Sequence, residues 1–392
     1  MKFTLTIPSL RVPRAPTIHL APRLPKIRIP FLSLLLEPKP LKKWLLIWLF
    51  FLYLAFCMGC FFAFEQPRLN KETYIRFGAD SPTYWEAVRY RSEHAENASL
   101  ISFTGNLLGP VTLGVLLKTG LAVAFFNIFL FFISVEIAAT IPGVDKYMLV
   151  FLLAICSETA AAMVTLNKEI LVLLSTFIFA KYVYSEKRSW FLLALSLVIS
   201  LFARWEQIGL ILIFLFLRRK GSFWVRNPKL AVLSVIGVLS VLYGLIARLP
   251  GSGLKAFTNY TKGANTIVKL NAIQANFGFP LVLAPKVLMD IMGELLRPLT
   301  FFGEFANLGT GDIHSMFIIP LFSISLIVLL IIAYRKGLLN PKHPLALLMI
   351  IYTIMTAITP FVQPRYLYFV YVLLALELSM KYDPAVPETA IA

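Results

Sequence analysis

The chain is poor in the groups from which most soluble catalytic sites are built. Its 392 residues include only three cysteines and four histidines. Cys57, Cys60 and Cys156 all fall inside long apolar runs. They build no disulfide framework, and Cys57-x-x-Cys60 lacks the strand–helix–strand setting of a redox motif. There is no Walker loop, no dinucleotide fingerprint, no paired-histidine zinc motif and no Gly-x-Ser-x-Gly elbow, so the usual soluble nucleotide and hydrolase sites are excluded. Acidic residues are scarce, 20 against 37 basic, giving a net charge of +17. The positives flank apolar runs, which is the orientation signal of membrane proteins and not a nucleic-acid footprint. No internal repeat is visible, which weighs against transporters assembled from repeats. Residues 1–43 are too long, too Pro-rich and too basic to read as a cleavable signal.

What is abundant is apolar surface. Hydrophobic residues make up 58% of the chain, where a soluble protein averages about 45–50%. Several runs approach the roughly 20 residues that cross a bilayer core. The sequence therefore predicts an all-α integral membrane protein, a polytopic helical bundle with both termini cytoplasmic. Residues 1–43 read as a basic, Pro-rich cytoplasmic tail, extended and able to rest on anionic headgroups. Residues 44–380 read as the transmembrane domain, and 381–392 as a second cytoplasmic tail. Lys39, Lys42 and Lys43 place the N-terminal side of the first span inside. Crossings then follow at 44–64, 121–141, 147–165, 170–184, 230–248, 315–334, 344–362 and 366–380, with outer loops near 65–120 and 249–314.

Two segments need special treatment. Residues 100–120 begin and end on the outer side and contain Gly105, Asn106, Gly109, Pro110 and Gly114. They read as a re-entrant or interfacial pair of short helices, a break tolerated only beside protein or a wet cavity. Residues 189–217 are apolar except at Arg204-Trp-Glu206-Gln and carry positives at both ends. A hairpin with Arg204 and Glu206 at its outer tip satisfies both, bringing the total to roughly ten crossings. In the second outer loop Asp290, Glu294 and Arg297 recur at helical spacing and read as the polar face of an interfacial helix. Asn97-Ala-Ser99 and Asn259-Tyr-Thr261 are glycosylation sequons on predicted outer loops.

Ionisable residues at membrane spans are costly and so tend to pair, face a cavity or act. On this threading those of interest converge on the outer side. Asp80, before Ser81-Pro82, is either a helix cap or a base for an attacking hydroxyl; Tyr84 lies one turn on, and Glu86 and Arg89 read as solvated. In Asn167-Lys168-Glu169, Glu169 suits a helix start, whereas Lys168 has the wrong sign for one and invites an anion. Arg204 suits bidentate phosphate binding or an internal pair with Glu206 or another carboxylate. Arg365, after Pro364, is a phosphate ligand or a snorkelling anchor. His314, beside Asp312, can titrate near neutral pH. Glu136 and Glu158 are the main charges expected at mid-span on the inner half.

The order of these motifs resembles the GT-C class of membrane glycosyltransferases and the O-antigen-type polysaccharide polymerases that share much of their plan. The resemblance rests on Gly78-Ala-Asp80-Ser-Pro-Thr-Tyr84, Asn106-Leu-Leu-Gly-Pro110, Asn167-Lys-Glu169, the Arg204 hairpin and Pro364-Arg-Tyr366, and spans about residues 44–380. It implies that Asp80 corresponds to the first-loop acid and that Arg204 or Arg365 binds lipid phosphate. Expected partners are a polyprenyl-linked sugar donor, a glycan or lipid-linked acceptor and membrane lipids, in a bacterial inner membrane and without nucleic acid. Lys168, Glu169, Arg204, Glu206, Arg365, Tyr84 and His314 form the expected substrate and phosphate set. The resemblance implies no definite cofactor, and a divalent cation stays open. The alternative is a carrier or flippase for lipid-linked oligosaccharides.

Overall fold

A computed structural model describes residues 43–70, 76–78, 80–93, 107–185, 189–219, 222–248, 266–292, 295 and 313–380. These belong to one unit within Leu41–Ala392. The basic leader, the C-terminal tail, both sequons, Gly105, Asn106, Glu294, Arg297 and Asp312 lie outside the described residues. Among the described residues the chain is helical throughout, with no strand beyond a lone antiparallel bridge between Val144 and Met380.

Helix α1 (Lys43–Cys60) continues through a π-helical turn (Phe61–Glu65) into α2 (Gln66–Leu69). The first helix therefore runs past residue 65, where the outer loop was expected to begin. Next come α3 (Ser81–Glu93), α4 (Leu108–Leu117) and α5 (Gly120–Ala139). Residues 100–106 lie outside the described residues, and of the helix pair expected in 100–120 the described part holds one helix, α4. It is joined to α5 through Lys118 in the left-handed region (φ 62°) and by a Thr119 N-cap.

The run 147–165 is not straight. It breaks at Ile155–Cys156 into α6 (Lys146–Ala154) and α7 (Ser157–Val164), which meet at 84°. Helix α8 (Glu169–Tyr184) follows. Residues 189–217 form α9 (Trp190–Ala203) and α10 (Glu206–Leu217), broken at Arg204-Trp205. Helix α9 runs antiparallel to α8, and α10 returns parallel to it. Arg204 meets Glu169 at the start of α8, Ser196 and Gln207 both hydrogen-bond Ser175 midway, and Phe214 stacks edge-on against Phe179. Arg204 thus sits at the tip of a hairpin.

The remaining elements are α11 (Phe223–Arg226), α12 (Pro228–Arg248), α13 (Thr266–Phe277) and α14 (Pro280–Met292). A π-helical turn (His314–Ile318) leads into α15 (Ile319–Arg335), and α16 (Pro344–Ala357) comes next. A 3₁₀ turn (Pro364–Leu367) then opens α17 (Tyr368–Ser379).

Helices α8 and α17 form the centre. All twelve residues of α17 and thirteen of the sixteen in α8 are buried. Tyr371 donates to the Leu152 carbonyl (2.7 Å), locking α17 onto α6. Polar groups turn inward: Asn127 on α5 donates to the carbonyls of Ala162 (3.0 Å) and Thr165 (2.9 Å), satisfying the end of α7. Large apolar side chains point outward, among them Phe56, Phe125, Leu233, Val241 and Leu321. So large an exposed apolar surface fits lipid and not water.

Among the described residues, three helical segments can cross a membrane by length and composition, Gly120–Ala139, Pro228–Leu245 and His314–Arg335, or four if the bent α6–α7 pair counts as one. Helices α4, α9, α10 and α16 are apolar but shorter, at 10–17 residues. Helix α16, for example, has 14 residues, a rise of about 21 Å against a hydrocarbon core of about 30 Å.

Candidate functional site

The segment before α3 is pinned from two sides. Ser81 Oγ donates to buried Glu65 Oε1 (2.8 Å), and Arg68 Nη2 donates to Ser81 Oγ (3.1 Å), tying the start of α3 to the end of the first helix. Gly78 lies directly on Thr165, where a Cβ would come within 2.8 Å of the threonine side chain. The loop bearing Asp80 therefore rests on the turn bearing Lys168.

Asp80 directs its carboxylate across the bundle. Oδ2 accepts from Arg365 Nη1 (2.9 Å) and from the Tyr84 hydroxyl (3.3 Å). Oδ1 takes no hydrogen bond from any described residue. Arg365 is fixed in turn by its Nε bond to Gln363 Oε1 (2.7 Å). The guanidinium groups of Arg365 and Arg204 both lie against the ring of Tyr366, 5.3 and 5.4 Å from its centre, within cation–π range. Arg204 Nη2 donates to Glu169 Oε1 at 2.9 Å, and both side chains are buried. Glu169 Oε2 is buried without a partner among the described residues.

Lys168 occupies the turn between α7 and α8, where its own N–H donates to Asn167 Oδ1 (2.8 Å). Its side chain is 4% exposed, and its ammonium makes no hydrogen bond or contact ion pair with any described residue. Burial first, then neighbouring Arg204, disfavours the charged amine; Glu169 and Asp80 oppose them only partly, and the group is pushed down to about 8. Burial alone would raise Asp80, but Arg365, then Lys168, outweigh it, helped by hydrogen bonds from Arg365 and Tyr84. Its carboxyl is held below the ordinary range and stays ionised at neutral pH.

A buried dyad closes one side. His314 Nε2 lies 3.2 Å from Glu158 Oε2, and the His314 N–H donates to the Arg76 carbonyl (2.9 Å). Glu158 lies within electrostatic reach of Arg365 and Asp80 and is paired with His314, so it belongs to this cluster and not to the inner half of the bundle. Glu136, in contrast, is exposed and pairs with Lys146.

Asp80, Tyr84, Lys168, Glu169, Arg204, His314 and Arg365 thus come together from five stretches of chain. Glu206 does not join them in contact: it is exposed on the first turn of α10, and the carboxylate that pairs with Arg204 is that of Glu169. Glu86 and Arg89 are exposed. The polar face expected outward at Asp290 is turned inward: Asp290 and Lys286 are wholly buried, while Leu281, Leu288 and Met292 are exposed. On a helix against lipid the polar stripe hides and the apolar one faces out.

Gln363, Tyr366 and Glu158 were not singled out from sequence as members of the site. The signal was there: Gln363 and Tyr366 flank Pro364-Arg365, and Ser157-Glu158 interrupts an apolar run. Among the described residues no three His, Cys, Asp or Glu side chains group so as to hold a metal ion. Comparison with known protein families, with curated proteins and with solved structures finds no significant match.

Proposed function

We propose that the chain is a membrane glycosyltransferase that takes a sugar from a polyprenyl-phosphate or -pyrophosphate carrier. It would act at the outer face of a bacterial inner membrane, in the assembly of a surface polysaccharide or glycolipid. The observation that carries this reading is the unpaired Lys168 ammonium, set beside Arg204 and Arg365 and facing the ionised Asp80. A buried ammonium with no hydrogen bond or contact ion pair among the described residues is costly, and a lipid phosphate would supply the direct partner. Each carboxylate of the cluster already has a partner.

In the reaction the acceptor hydroxyl binds Asp80 through Oδ1. Its oxygen attacks the anomeric carbon, its proton passes to Oδ1, and the bond from the anomeric carbon to the phosphate oxygen breaks. The electron pair leaves with the phosphate. Lys168, with Arg204 and Arg365 beside it, stabilises the charge that grows there. Asp80 is a weak base, so this proton transfer accompanies bond formation, and holding both lipid-tethered partners in place contributes much of the rate.

Sidedness is supported by charge. The opposite end of the bundle, where Asp145 N–H meets the Ser379 carbonyl and Arg218 donates to the Lys342 carbonyl, carries Lys146, Arg218 and Lys342, as a cytoplasmic end should. Roughly ten crossings, with both termini on that side, fit this arrangement if the shorter helices also traverse.

The carrier alternative needs polar groups along a path. Between Glu169 and Lys181, α8 offers only apolar residues, Ser175 and Thr176, all buried in packing, which favours the enzyme. The test is reconstitution with a polyprenyl-pyrophosphate-linked oligosaccharide and an acceptor. A new glycosidic bond, reduced about 100-fold or more in Asp80→Asn, is expected. Passage of the lipid across liposomes with no bond formed would replace the transferase with a carrier.

A further inference from the structure

The segment Ile358–Gln363 joins α16 to the turn that carries Arg365 and has no regular structure of its own beyond a few turn bonds. Four side chains from α13 and α14 grip its backbone. Gln274 donates to the Ile358 carbonyl (2.9 Å), Lys286 to the Thr359 carbonyl (2.9 Å) and Asn271 to the Pro360 carbonyl (2.9 Å), while Asp290 Oδ1 accepts from the Gln363 N–H (2.9 Å). The gripping groups are themselves linked, since Lys286 Nζ also donates to Gln274 Oε1 (2.6 Å). All four are at most 2% exposed. An ionisable pair wholly removed from water is expensive, and a hydrophobic contact would have docked the two helices equally well. The polar groups do what apolar ones cannot: they address individual N–H and carbonyl groups and so fix the path of an irregular strand of chain.

That path ends in the cluster. Gln363 is the common member, with its N–H on Asp290 and its side-chain oxygen on Arg365 Nε. Arg365 then reaches Asp80. We infer that α13 and α14 act as a clamp that positions Arg365, with Asp290 as the positioning residue that acts through Gln363. This rests on the reading of Arg365 as part of the phosphate site only for its purpose; the positioning itself is independent of it. Among the described residues no hydrogen bond or ion pair joins α13 or α14 to Asp80, Lys168 or Arg204, so the two helices serve the site at one remove.

The test uses the full chain in lipid nanodiscs and reads the rate at which phenylglyoxal modifies Arg365 and Arg204, residue by residue, by mass spectrometry. Asp290→Ala should raise modification of Arg365 about fivefold and leave Arg204 unchanged, since local opening and not global unfolding is involved. Asp290→Asn keeps an acceptor oxygen and should restore the native rate. Gln363→Ala removes only the side-chain link, at a half-buried position, and should loosen Arg365 even if Asp290→Ala does not fold. Unchanged Arg365 in both Asp290→Ala and Gln363→Ala, or an equal rise at Arg204, overturns the clamp. If Arg365 loosens as expected but no sugar is transferred by the native protein, the clamp stands and the transferase reading falls.

Discussion

Lys168 and Arg204 make opposite demands on their surroundings. Arg204 is satisfied by Glu169, and removing that carboxylate leaves a buried charge exposed to nothing but its neighbours. Glu169→Gln should therefore destabilise the protein by about 3 kcal/mol or more, read as a fall in the thermal midpoint in detergent. Lys168 is not satisfied within the described chain, so its replacement should cost binding before stability. Lys168→Gln is expected to weaken affinity for a polyprenyl pyrophosphate by about tenfold or more while shifting the thermal midpoint little. The pH dependence has a definite sign. With its amine pushed down to about 8, Lys168 is charged below that pH and neutral above it, so affinity should fall as pH rises through about 8. Lys168→Arg, which stays charged, should remove that step. Asp80, held below the ordinary carboxylate range by Arg365 and Lys168, should contribute no step between pH 5 and 7.

At the scale of elements, close approach decides which glycines matter. On α4, a Cβ at Gly109 would lie 2.1 Å from the Phe202 carbonyl oxygen, a backbone atom that cannot swing away. Gly109→Ala should cost about 2–3 kcal/mol by separating α4 from the hairpin tip. Gly59, on α1, has nothing within 4 Å of that position, and Gly59→Ala should be neutral or stabilise by up to about 1 kcal/mol. Thermal unfolding of the two variants side by side checks both. The hairpin at Arg204 was legible from its flanking charges because orientation rules act on sequence directly. The kink at Ile155–Cys156 was not, since Ala-Ile-Cys-Ser has no proline or glycine; the bend is held by tertiary contacts such as Ser157 Oγ on the Ile318 carbonyl (2.6 Å). The inward face of α14 was misread for a related reason. Helical spacing shows that Lys286 and Asp290 share a face, but not which side of that face meets lipid.

For the molecule as a whole, the sequence placed the acid and the cations at one end, whereas their pairing depended on contacts between residues as far apart as Asp80 and Arg365. No pattern within a short window reveals that Arg204 meets Glu169 and not Glu206. The bundle that results is apolar outside, packed through α8 and α17, and charged at its two ends. At one end lies the Asp80 cluster; at the other, Glu377 on α17 accepts from the Tyr184 hydroxyl (2.6 Å) and faces His343. Where a lipid phosphate binds decides between transferase and carrier, and a structure of the chain in nanodiscs with polyprenyl pyrophosphate would show it. Phosphate density within hydrogen-bond reach of Lys168, with Asp80 Oδ1 open to a shared cavity, is the expected result. Phosphate seated instead at the Tyr184–Glu377 end, or absent from the Lys168 turn at saturating lipid, would contradict the proposed site.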